Sequence, residues 1–159
     1  MSEFGDLVQA KCDAFADRVV KLNDFLLDQA ANKKATTKAE GGSKRAEGQT
    51  SNIKRHTSSH VPVFLQSVAT ICNQLLRAGT SIGANNAEAT SAISKADFKS
   101  KSYIALKEAR ESLYWLELLH RNNYLTDIQF NSLYADGEEL VKVLMHRCKK
   151  LDNVGGSEK

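Results

Sequence analysis

Leu75–Ala89 reads LLRAGTSIGANNAEA, and the rest of the chain is best understood outward from it. The stretch continues an apolar helical run, yet small and polar residues alternate along it at helical spacing. Ala78, Gly79, Ile82, Gly83 and Ala84 leave room for a close neighbour. Arg77, Ser81, Asn85 and Glu88 stand at steps of four, four and three, which on a helix draws one polar line. A polar line on so small-sided a helix suits a helix–helix seam or a shared channel better than open water. Gly79 and Gly83 each cost a helix about 1 kcal/mol relative to Ala, which close packing would offset. Arg77, Gly79, Ser81, Gly83, Asn85 and Glu88 are therefore the expected interface, and on this reading copies of the chain associate through them.

Upstream, Val61-Pro62 opens the helix that carries this stretch, since proline is tolerated in a first turn. Leu65, Val68, Cys72 and Leu75 form its seam, widened by Phe64, Ile71 and Leu76. Downstream, Ser94-Lys95-Ala96-Asp97 has the form of a capping box with Asp in place of Glu. It predicts a third helix over Lys95–Arg121. Phe98, Ala105, Ala109, Leu113, Leu116 and Leu119 line one face, and Tyr103, Ile104, Leu106, Tyr114 and Trp115 broaden it nearly all round. So broad an apolar surface predicts burial on several sides, with a subunit contact on one of them and Tyr103, Tyr114 and Trp115 packed rather than stacking bases. Asn122-Asn123 makes the next turn. Thr126-Asp127-Ile128-Gln129 is a fuller capping box, and Phe130, Leu133, Gly137, Leu140, Leu144, Cys148 and Leu151 give the fourth helix its seam. At the other end of the chain, Val8, Cys12, Phe15, Val19, Leu22 and Leu26 predict a first helix over Asp6–Gln29.

The segment between the first two helices differs in kind. From Asn32 to His60 the only large aliphatic residue is Ile53. Such a composition cannot bury enough apolar surface to offset its ordering entropy, and it predicts a flexible insertion. The whole chain has 22 basic against 19 acidic residues. Lys33, Lys34, Lys38, Lys44, Arg45, Lys54 and Arg55 fall in the insertion against only Glu40 and Glu47, so the remainder is slightly acidic. The insertion is either a solvated loop or an arm drawn to phosphates.

LLRAGTSIGANNAEA, SKADF and IALKEARESLYWLELLHRNNYL together resemble the four-helix-bundle family named for intervening sequences in bacterial 23S ribosomal RNA genes. The resemblance runs from about Leu75 to Leu151 and more loosely over Ala14–Leu27. Members of that family read Arg-small-x-x-Ser-Ile-x-x-Asn-Ile-x-Glu, and Arg77, Ser81, Ile82, Asn85 and Glu88 match it. Asn86 stands where the family has Ile, and the insertion is longer than the family's usual link. The resemblance implies an all-α, antiparallel up-and-down four-helix bundle that assembles as a homo-oligomeric ring, often a pentamer. A distant similarity to the accessory protein of diversity-generating retroelements implies a reverse transcriptase and nucleic acid as partners.

Residues 1–151 are thus expected to form one bundle domain interrupted by the 32–60 insertion, with 152–159 a polar tail. No apolar run is long enough for a membrane span, and the N-terminus lacks a signal core, so a cytoplasmic protein is expected. Cys12, Cys72 and Cys148 are odd in number and have no CxxC spacing, which argues for buried thiols rather than a disulfide framework or zinc site. No catalytic group, cofactor or metal site is expected. Glu117 and His120 match half of a di-iron signature that requires a second Glu-x-x-His copy, and His146 follows Val143 instead. RNA or DNA is expected on Lys33, Lys34, Lys44, Arg45, Lys54 and Arg55 of the insertion, joined by Lys142, Arg147, Lys149 and Lys150 of the fourth helix. The alternative is a structural or protein-interaction module with no nucleic-acid role. Exchanging residues 32–60 for a short Gly-Ser linker should leave the thermal unfolding midpoint nearly unchanged, because closure entropy grows slowly with loop length; a large drop would mean the segment packs.

Overall fold

Four helices follow one another in the computed structural model, which describes residues 3–40 and 63–155, with side-chain surroundings for 3–32 and 66–153. They are α1 (Glu3–Glu40), α2 (Val63–Thr90), α3 (Lys95–Arg121) and α4 (Asp127–Gly155). Most of the insertion lies outside the described residues. Its first part does not, and there α1 continues to Glu40 instead of stopping at Gln29. The reason is local: Asn32–Glu40 is rich in Lys and Ala, and no Gly or Pro interrupts it before Gly41. Likewise α4 carries on through Gly155 into the expected tail.

The caps explain the other ends. Ser94 Oγ accepts from Asp97 N at 3.1 Å, while Asp97 Oδ2 accepts from Ile93 N at 3.2 Å. Thr126 and Gln129 close their box reciprocally, Gln129 N donating to Thr126 Oγ1 at 3.3 Å and Thr126 N to Gln129 Oε1 at 3.0 Å. Between α3 and α4, Asn123 takes a positive φ of 59°. Tyr124 N bonds back to Leu119 O at 3.0 Å and Asn123 N to His120 O at 2.9 Å, a Schellman closure in which Asn occupies the left-handed position.

Each helix packs on its neighbours in order, and α1 closes the ring against α4, while the diagonal pairs do not approach at the backbone. The core follows the seams read from the sequence, with Leu22, Leu113 and Phe130 only partly buried at its margin: Val8, Cys12, Phe15, Val19 and Leu26 of α1 meet Val68, Cys72, Leu75 and Ile82 of α2. Ala105, Ala109, Leu116 and Leu119 of α3 and Leu133, Leu140, Leu144 and Cys148 of α4 complete it. Gly137 lets α4 draw close: a Cβ there would fall 2.7 Å from Leu113 Cδ2 and 3.4 Å from Phe15 Cε2. The α1–α4 edge is closed at its rim by Lys11–Glu139 at 2.9 Å and by Arg18, which reaches Asp136 and the Ser132 carbonyl.

All three cysteines are buried and unbridged. Burial pushes the Cys12 thiol up to about 12, against a smaller opposing pull from the Arg147 guanidinium, and pushes Cys72 up to about 11. Both start from an ordinary value of 9.0. A thiol with a raised folded pKa favours folding fully below its unfolded value, and that contribution fades as pH climbs through the folded one. The urea midpoint should therefore hold up to about pH 9 and decline between about pH 9 and 12, with Cys12→Ala flattening part of the decline. A midpoint that falls equally in Cys12→Ala would assign the loss to other groups.

Candidate nucleic-acid interface

The polar line of α2 divides into two environments. Arg77 turns to α3, with Nη2 2.5 Å from Glu111 Oε1 and Nη1 3.8 Å from Glu108 Oε2, and its Nε donates to Gln74 Oε1 at 3.2 Å. Glu88 pairs with Lys101 of α3. Asn85 Nδ2 donates to the Ser81 carbonyl at 2.9 Å. Arg77 and Glu88 thus stitch the α2–α3 edge within one chain. Gly79 and Gly83 face the opposite side. A Cβ on Gly79 would lie 3.1 Å from both Val19 methyl groups, and one on Gly83 3.3 Å from Asp13 Oδ1 and 3.5 Å from Cys12 Cβ. These two glycines serve the contact with α1 of the same chain, which corrects their expected place between subunits. With no Cβ, the two backbones come close enough for the core to seal.

Inside the same end of the bundle lies a polar chain that the pattern did not foreshadow. Asn86 is completely buried, and its Oδ1 accepts from Arg147 Nη1 at 2.6 Å. Its Nδ2 donates to Gln9 Oε1 at 2.6 Å, and Gln9 Nε2 donates to Asp13 Oδ1 at 2.7 Å. Arg147 is only 8% exposed, so it cannot belong to a basic surface, contrary to the sequence reading. Its guanidinium also lies 5.8 Å from the centre of the Phe98 ring of α3, within cation–π range. Burial lowers its pKa from the usual guanidinium value. No ion pair holds it among the described residues. The signal that could have found it was the pairing of one helical Asn with one helical Arg, but nothing in either spacing links them.

The basic residues that do reach solvent lie elsewhere. Lys142 is exposed and stands 3.6 Å from Glu138 of its own helix. Lys149 and Lys150 are exposed near the end of α4. Lys33 and Lys34 lie on the helical backbone of α1, and Lys44, Arg45, Lys54 and Arg55 fall outside the described residues. On the outer face of α3, Tyr103, Lys107, Arg110, Tyr114 and Arg121 follow one another at steps of three, four or seven and are all exposed. Helical geometry puts them on one stripe. Tyr103 and Tyr114 are 39% and 51% exposed, so these rings are neither core nor seam. Trp115 is half-buried, its Nε1 donating to Glu111 Oε1 at 3.2 Å. Glu117 accepts from the Tyr134 hydroxyl at 2.8 Å, and His120 Nε2 stands 2.8 Å from Asp127 Oδ1 while its ring stacks on Phe130 at 4.2 Å. Glu117 and His120 thus have separate partners, and no metal-holding group of His, Cys, Asp or Glu occurs among the described residues. No helix of the described residues is long and apolar enough to cross a membrane.

Comparison with family models matches residues 43–146 to the 23S rRNA-intervening sequence protein. The chain belongs to this family. A crystal structure of a protein of unknown function from the S23 ribosomal protein family of Bacteroides thetaiotaomicron is 35% identical to it, with a TM-score of 0.67. The match covers 92% of this chain and 98% of that one. Among curated proteins none matches. Asn86, fully buried, is a group that needs partners, and Gln9 and Arg147 supply them. Asn86→Ala should therefore cost about 1.5–3 kcal/mol, the range for a hydrogen bond to a charged group. Adding Arg147→Met should recover part of that loss, since no buried charge is then left without a partner. A double-mutant cycle in urea reads this directly, and strictly additive losses would refute the coupling.

Proposed function

We propose that this protein is a non-enzymatic, homo-oligomeric helical scaffold that binds RNA or DNA through its basic surface. The observation that carries this reading is an imbalance on the outer side of α3 and α4. Of the carboxylates that border it, Asp152 pairs with Lys99 at 2.7 Å, Glu138 with Lys142 and Glu111 with Arg77, while Glu117 accepts from the Tyr134 hydroxyl. Lys107, Arg110, Arg121, Lys149 and Lys150 have no ion pair among the described residues. Cations left without carboxylates suit phosphates, and a ring of several copies, pentameric by family resemblance, would multiply them. The basic insertion would add an arm to the same field. The 23S rRNA in the family name agrees with an RNA partner. A role beside a reverse transcriptase of a diversity-generating retroelement is the finer form of this proposal, and it rests on the resemblance alone.

Labelled RNA and DNA titrated at several salt concentrations test the reading. Binding should be independent of sequence, and log K should fall linearly with log salt, by roughly 0.7–0.9 per phosphate neutralised. Converting Lys33, Lys34, Lys44, Arg45, Lys54 and Arg55 to Gln, or Lys142, Lys149 and Lys150 to Gln, should each weaken binding and flatten that slope. Light scattering should give a mass several times 17.5 kDa. A monomer that binds neither nucleic acid at low salt would leave a protein-interaction module as the function.

A further inference from the structure

We infer that the outer stripe of α3 from Tyr103 to Tyr114 is a stacking platform for single-stranded nucleic acid; this rests on the nucleic-acid reading above and names its substrate class. Lone exposed tyrosines are common on protein surfaces and by themselves mean little. Here three independent features coincide.

The first is arrangement. Tyr103 and Tyr114 lie about three turns and roughly 16 Å apart on one face, with exposed Lys107 and Arg110 between them. Ring, cation, cation, ring is the order needed to hold bases at two points and backbone phosphates between. The second is rigidity. The Tyr103 hydroxyl donates to Asp152 Oδ2 at 2.6 Å, and Lys99 fixes the same carboxylate at 2.7 Å. Tyr114 stands edge-on to Trp115, centroids 4.9 Å apart at 71°, and the indole is itself tied to Glu111. Arg110 Nη2 rests 3.8 Å from Met145 Sδ of α4. Rings and a guanidinium already held in place lose little freedom on binding. The third is charge: Lys107 and Arg110 lack an ion pair among the described residues, as noted above.

Duplexes would not use the rings, because paired bases already stack on their neighbours and present only phosphates to a flat helix face. Single strands expose base faces, and any base can stack on a tyrosine, so affinity without sequence preference follows. A docking protein helix fits less well, since two cations occupy the centre of the stripe where an apolar anchor would have to sit.

Fluorescence anisotropy with a labelled short oligouridine and with an RNA hairpin stem of equal charge tests the inference. The single strand should bind more tightly. Tyr114→Ala should weaken oligouridine binding about 5- to 150-fold, the effect of losing one base–aromatic stack, with the salt slope unchanged. Tyr114→Phe should retain it, and Tyr103→Ala should weaken it similarly. Lys107→Gln with Arg110→Gln should instead flatten the salt slope for both ligands. Photocrosslinking of bromouridine-substituted strand to the wild type should map to Tyr103 or Tyr114, a readout that does not depend on any variant folding. If strand and stem bind equally, Tyr114→Ala changes nothing and the crosslink maps elsewhere, the stacking platform is wrong while nucleic-acid binding stands. If the wild type binds neither, both readings fall.

Discussion

One hydrogen bond crosses the bundle where the backbones do not meet. Arg147 of α4 reaches the diagonal helix α2 to donate to Asn86, and Asn86 passes the connection to Gln9 of α1. With Phe98 of α3 beneath the guanidinium, one buried cation ties α2, α3 and α4 together directly and reaches α1 through Asn86. Removing a charge from water is costly, and an unpaired one would cost several kcal/mol. The end of the bundle is therefore constrained to the one register in which Asn86, Gln9 and Phe98 converge. Cys12 and Cys148, both buried, lie close enough to that cation to interact with its charge.

The seams beside this point follow from the same demand for closeness. Gly79 and Gly83 bring α2 onto α1, which places the Asp13 and Gln9 side chains within reach of the polar chain. Small residues do the equivalent on α3, where Ala105 and Ala109 are fully buried. Glu108 shows the residual cost: its Oε2 is buried without a hydrogen-bond partner, and Arg77 compensates it only from 3.8 Å. The ion pairs along the α1–α4 rim contribute little by comparison, since exposed pairs are worth at most about 1 kcal/mol. They close an edge whose packing Phe15 and Gly137 already determine.

A bundle closed from within leaves its outer faces to function. On α3 the core takes Ala105, Ala109, Leu116 and Leu119, so residues on the opposite side are held rigidly and outward by helix geometry alone. That is how Tyr103, Lys107, Arg110 and Tyr114 come to share one exposed line. On the proposed reading, what acts is the spacing of these side chains along a stiff rod.

Much of this was legible in the sequence, because it depends on period and local bonding. Val8, Cys12, Phe15 and Val19 announce their face by steps of three and four, and the two boxes at Ser94 and Thr126 start their helices through bonds spanning only three or four residues. The extension of α1 to Glu40 was hidden because a helix of Lys and Ala needs no apolar stripe to form. What tertiary structure alone decided was direction. A breadth of apolar residues on α3 cannot say which rings face water, and a line of small residues on α2 cannot say which neighbour they admit. Nor can a cluster of cations at the end of α4 reveal that Arg147 turns inward while Lys149 and Lys150 turn out. Those choices belong to contacts between residues far apart in the chain, where burial, not periodicity, sets the energy.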